Sequence, residues 1–130
     1  AKIRTGSFTS TDIELQSVEM DGSLTQTPEF PYNWMYDGSR PQMPGFEMEI
    51  TCKSLFLIFK DSGEMDVGKA DVFVNDVYCM TADPHKNNWL HCNAVLLFWE
   101  TESRSHKVRI TVTEEDQNKK FTILGFGYTI

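Results

Sequence analysis

The stretch EMEITCKSLFLIFK, Glu47 to Lys60, sets the architecture. Leu55, Leu57 and Phe59 recur every second residue, which is the period of a half-buried strand. Ile50 and Cys52 keep the same period but fall out of phase with them across Lys53-Ser54. Two strand segments separated by a break are therefore expected. The same signal recurs downstream. ADVFVNDVYCMT, Ala70 to Thr81, places Val72 and Val74 on one face and turns at Asn75-Asp76 into a second short strand, Val77 to Met80. HKVRITVTE, His106 to Glu114, alternates cleanly, with Val108, Ile110 and Val112 inward and Lys107, Arg109 and Thr111 outward.

Two further strands complete the pattern. NAVLLFWE, Asn93 to Glu100, is nearly continuous in apolar residues, as a strand covered on both faces would be, and Trp99 is assigned to the core with it. FTILGFGYTI closes the chain with Phe121 and Ile123, followed by Gly125 and Gly127, which fit a bulge or a close backbone approach. An early strand is expected within Asp12 to Met20, and no stretch of ten residues carries capped helical periodicity. Seven or eight short strands with turns between them predict an all-β fold, an antiparallel β-sandwich of jelly-roll type, over residues 1–130 as one domain.

Composition narrows the partners. The formal charge of −7 disfavours nucleic acid and anionic membranes, which select positive faces. No apolar run approaches the ~18 residues of a membrane span. Cys52, Cys79 and Cys92 are odd in number and form no CxxC pair, so a disulfide framework and a zinc ribbon are both disfavoured; Cys52 and Cys79 read as small hydrophobes within strands. The opening AKIRTGSFTS has no signal-peptide core, and the chain reads as a module of a longer parent.

Catalytic signals are missing. There is no G-x-S-x-G elbow, and among 19 acidic residues a carboxylate pair without geometry carries no information. His85 and His91 stand at no standard zinc spacing. The chain is read as non-enzymatic and without a cofactor. The one candidate ion is a structural calcium at Asp61, Glu64, Asp66 and Asp71, for which a solvated acidic turn is the preferred explanation.

The long loops carry the binding candidates. FPYNWMYDGSRPQMPGF, Phe30 to Phe46, holds five aromatic residues without strand or helix spacing, and DPHKNNW lies in the second long loop. Sugar rings stack on flat aromatic faces while amides and carboxylates take the hydroxyls. Trp89, Trp34, Tyr36 and Tyr32 are the expected stacking residues, with Asn88 and Asp37 as hydrogen-bonding partners. The opposite reading makes these rings plugs of the sandwich's open end.

The order GSF…LQSVEM…FPYNWMY…FEMEITCKSLFLIFKDSG…GKADVFVNDVY…NNW…AVLLFWE…HKVRITV…KKFTILGFGYT resembles the jelly-roll accessory domains of bacterial plant-cell-wall enzymes. Such domains accompany SGNH (GDSL-type) carbohydrate esterases and cellulosomal glycoside hydrolases. Gly68 to Asp76 match their hairpin, Asn87 to Trp89 a loop, His106 to Ile110 a strand and Lys120 to Gly125 the closing strand. Asn75-Asp76 stand where that pattern has Asp-Gly. The resemblance implies a secreted, non-catalytic carbohydrate-binding module, covalently linked to a catalytic domain and targeting plant polysaccharide. A neutral β-1,4-glucan such as cellulose, glucomannan or xyloglucan suits an acidic chain with 12 Lys and Arg better than pectin does. The alternative implied is a structural accessory domain that binds no sugar.

Overall fold

The structure, a computed structural model, describes residues 1–13, 16–18, 24–28, 32–86 and 92–130, with 16–18 and 24–28 described as backbone only. The described residues form nine strands: β1 (Lys2–Arg4), β2 (Gln16–Val18), β3 (Leu24–Pro28), β4 (Trp34–Tyr36), β5 (Phe46–Lys60), β6 (Ala70–Val74), β7 (Val77–Ala82), β8 (Cys92–Val112) and β9 (Phe121–Thr129). A 3-10 turn at Glu114–Asp116 is the one helical element among the described residues. All pairings between these strands are antiparallel; β2 pairs with β3, and the others join in the order β4-β9-β5-β8-β6-β7, with β1 on β5.

The long strands β5 and β8 build both layers. Phe46 pairs with Ile110, whereas Leu57 pairs with Phe126. A straight strand would separate Phe46 from Leu57 by about 36 Å at ~3.3 Å per residue. Yet the rings of Phe46 and Phe126 stack at 5.8 Å. The sheet therefore folds over on itself. The first layer holds residues 46–52 of β5 and 104–112 of β8 with β1, β6 and β7; the second holds 54–60 and 92–99 with β9 and β4. Strands that change layer do so at bulges. Here the pairing jumps from Cys52↔Arg104 to Ser54↔Trp99, so residues 100–103 of β8 bow out opposite Lys53. Phe98 and His106 pack across this crossing with their rings tilted at 40° and 4.2 Å apart.

That bulge is the phase break seen in the sequence. It lets Phe46, Met48, Ile50 and Cys52 on one side and Leu55, Leu57 and Phe59 on the other all reach one core. Val108, Ile110 and Val112 face them as expected. Asn75 (φ 51°) and Asp76 (φ 65°) both adopt left-handed backbone, which makes the hairpin a type I′ turn. Asn75 donates from its backbone N–H to the Lys107 carbonyl and accepts the Lys107 N–H, fastening the turn to β8. Within the first half of β9 a bulge does occur, at Leu124 between the pairs Ile58↔Gly125 and Phe59↔Ile123. The close backbone approach does not, because a methyl group on Gly125 would meet nothing within 4 Å. Gly6 (φ +53°) is where glycine is required: a Cβ there would lie 2.1 Å from the Pro44 carbonyl oxygen.

The antiparallel sandwich is present. Its jelly-roll connectivity is not demonstrated by pairings that run as one sheet through both layers.

Candidate functional site

The aromatic stretch resolves into an edge strand. Asn33 is buried and clamps the chain from both directions, accepting the Asp12 N–H (2.8 Å) and donating to the Asp12 carbonyl (2.9 Å). β4 then runs beside β9 in the register Trp34↔Ile123 to Tyr36↔Phe121. Alternation turns Trp34 and Tyr36 inward. The Trp34 ring packs at 5.2 Å from Phe46 and 6.3 Å from Phe126. Tyr36 is 2% exposed, and its hydroxyl donates to the Gln117 carbonyl. Burial, and secondarily the Asp37 charge, pushes the Tyr36 phenol above its usual value.

This placement corrects the expected platform. The Tyr36 ring is walled in and offers no face to a sugar, and Trp34 is half-buried with its ring packed against the core. The physical reason is that a three-residue strand delivers side chains to the core without being long enough to show a period. Tyr32 is exposed, as a binding residue would need to be. Asp37 is half-buried, accepts the Ser10 hydroxyl and both the N–H and hydroxyl of Ser39, and is held at about 2 by the Ser10 and then the Ser39 bonds. Those internal donors occupy much of its hydrogen-bonding capacity. Asn88 and Trp89 lie outside the described residues.

An unforeseen surface lies on the outer face of the second layer. Residues directly opposite on neighbouring strands share a face. Three rows therefore cross β8, β5 and β9: Trp99–Ser54–Thr129, Leu96–Phe56–Gly127 and Ala94–Ile58–Gly125. Trp99 is 80% exposed, Leu96 52% and Phe56 40%. The assignment of Trp99 to the core is thus wrong, and so is the covering of NAVLLFWE on both faces. Only one face of that segment is packed, through Val95 and Leu97. Replacing Trp99 with alanine should change the unfolding free energy by less than about 0.5 kcal/mol in urea titrations, because the ring supports no core. A loss of 3 kcal/mol or more would return it to the core.

The outer face of the first layer is different in kind. Lys2 and Arg4 stand opposite Glu49 and Glu47, which in turn face Lys107 and Arg109. Lys107 and Glu47 approach to 3.8 Å. Phe73 shares this face with its cross-strand partner Tyr78, their rings 6.0 Å apart, and lies beneath the Arg109 guanidinium at 4.1 Å. One face is dominated by cross-strand opposite charges around a single aromatic pair; the other is apolar along its middle rows and floored by glycine.

A pocket of about 100 Å³ opens beside Asp12, Lys60, Glu64, Asp66, Lys120 and Thr122, with Ile13, Met35, Val67 and Phe121 among its walls. Four of its charges form two ion pairs. Asp12 meets Lys60 at 2.9 Å and accepts the Thr122 hydroxyl, and Asp66 meets Lys120 at 3.4 Å. Burial raises the thiols of Cys52 and Cys79, which keeps them unreactive. His106, buried at the layer crossing, contacts Glu100 through Nε2 and Asn75 through Nδ1.

No protein-family model matches the chain, and no curated protein matches it in sequence. Among solved structures it is similar to a family two carbohydrate esterase from Cellvibrio japonicus, at 13% identity over 99% of this chain and 36% of that one, with a TM-score of 0.47. It is also similar to Est2A, an acetyl xylan esterase from the rumen bacterium Butyrivibrio proteoclasticus, at 14% identity over 98% of this chain and 32% of that one, again with a TM-score of 0.47. The chain spans about a third of the length of these esterases.

Proposed function

We propose that the chain is a non-catalytic β-sandwich companion of a secreted carbohydrate-active enzyme, seated on its catalytic domain by the outer face of the second layer. The observation that carries this reading is the contrast between the two outer faces. Leu96, Phe56, Ile58 and Ala94 line an apolar strip beside the open backbone of Gly125 and Gly127. Apolar strips of this kind on a sheet mark interaction surfaces. A Leu or Phe side chain moved fully from water into a dry interface contributes about 1.5–3 kcal/mol. The motif resemblance to accessory domains of plant-cell-wall enzymes points to the class of partner, and plant polysaccharide is then met by the enzyme as a whole.

A second reading rests on Trp99. Its exposed ring stands near Phe56 and beside the hydroxyls of Ser54 and Thr129, which lie 2.7 Å apart. A β-linked glucan chain could stack there, with Tyr32 as a further exposed ring. Aliphatic neighbours argue for a protein partner instead, since Leu96, Ile58 and Ala94 give sugar hydroxyls nothing to bond.

Calorimetry of the natural full-length protein separates the two. Ala94→Asp with Leu96→Asp, both at exposed positions of the strip, should split one coupled melting transition into two, while moving the isolated domain by less than about 1 kcal/mol. The wild-type domain should migrate unretarded through gels containing cellulose derivatives, glucomannan or xyloglucan. Retardation that Trp99→Ala abolishes, with full-length melting unaffected by the paired aspartates, would replace the docking reading with glucan binding.

A further inference from the structure

The acidic turn of the sequence does not form one cluster. Asp66 pairs with Lys120, Asp71 accepts the Thr81 hydroxyl, and Glu64 is exposed. Asp61 behaves differently from all three. It is 4% exposed, and neither carboxylate oxygen has a hydrogen-bond partner. A buried carboxylate without a donor is expensive, and the cost is relieved by a proton or a cation.

The surroundings favour a cation. Two turns, 61–67 and 83–86, are tied together at this point. Ser62 donates its N–H to the Pro84 carbonyl at 2.9 Å, and His85 Nε2 meets the Val67 carbonyl at 2.6 Å. Asp83, next to the buried Pro84, keeps its own turn by accepting the His85 N–H. Its charge is close enough to act on Asp61, whose carboxyl is pushed up by burial first and by Asp83 second, with His85 opposing. The tied turns thus bring the Asp83 charge to bear on a buried, unpartnered Asp61.

We propose that Asp61 and Asp83 are the carboxylate ligands of a calcium-class cation held between these two turns. Oxygen donors select a hard ion, and calcium accepts 6–8 oxygens at about 2.3–2.6 Å in adaptable geometry. Among the described residues no three His, Cys, Asp or Glu side chains converge as a ready metal set. Backbone carbonyls and water must therefore supply the remaining ligands, which suits calcium and not zinc.

Thermal melts of the domain in EDTA and in calcium chloride test this. Calcium at a hundredfold excess over its Kd should raise Tm by roughly 5–10 °C, saturably, and magnesium by much less. Asp61→Asn should abolish the rise and, in EDTA, melt at or above wild type, because the unpartnered charge is gone. Terbium luminescence, displaced by calcium in the wild type and lost in Asp83→Asn, gives a readout independent of melting. No calcium-dependent shift and no terbium signal in the wild type, or an undiminished shift in Asp61→Asn, overturns the site.

Discussion

Phe46→Ala should destabilise the domain by about 3–5 kcal/mol, the range for emptying a buried aromatic site. Phe46 opens β5 and is fully buried. Its ring contacts Phe8 at 6.1 Å, Trp34 at 5.2 Å and Phe126 at 5.8 Å. Trp34 and Phe126 belong to the second layer while the Phe46 backbone belongs to the first, so this one ring bridges the two sheets. Aromatic pairs add about 0.5–1.5 kcal/mol beyond the area they bury, which places the expected loss toward the top of the range. Urea titration measures it. Against a total stability of about 5–15 kcal/mol for a domain of ordinary stability, the variant should retain a fold with a much lower midpoint. A loss below about 1 kcal/mol would mean that the layers are not held together at Phe46.

Asp12→Ala should be comparably costly, at about 3–5 kcal/mol, for an electrostatic reason. Asp12 is 5% exposed, and one of its oxygens receives both Lys60 Nζ at 2.9 Å and the Thr122 hydroxyl at 2.8 Å. Removing the carboxylate takes from the largely buried Lys60 this counter-charge and from Thr122 its acceptor. Attraction between the two ions only offsets their desolvation, so the loss measures the charge left behind more than the worth of the pair. The same substitution in a Lys60→Met background should therefore cost much less. Equal losses in the two backgrounds would show that the penalty comes from Thr122 losing its acceptor and not from the ion pair.

Where one face of a strand meets the core and the other meets water, the sequence is readable. Val108, Ile110 and Val112 alternate with Lys107, Arg109 and Thr111 because the first layer's outer face is charged. The phase change at Lys53-Ser54 is legible for a related reason: a bulge must skip one beat to keep Cys52 and Leu55 in one core. Asn75-Asp76 is legible as a turn because these residues tolerate left-handed backbone. Trp99 misled because an apolar residue facing water and one facing core look the same in a continuous apolar run. Trp34 and Tyr36 misled because β4 is too short to repeat. The isolation of Asp61 has no sequence signature, since burial and partners are set by turns that meet only in the folded chain.

The sharing of β5 and β8 between layers has a kinetic side. Their pairs run from Phe46↔Ile110 to Lys60↔Cys92, joining residues 64 to 32 positions apart. Closing such loops costs chain entropy before any contact repays it, and domains rich in distant pairings fold in milliseconds to seconds. Neither layer can assemble first and wait for the other, because each owns half of the same two strands. A nascent chain cannot complete either layer until β8 has emerged, and until then the apolar residues of β5 have no permanent cover.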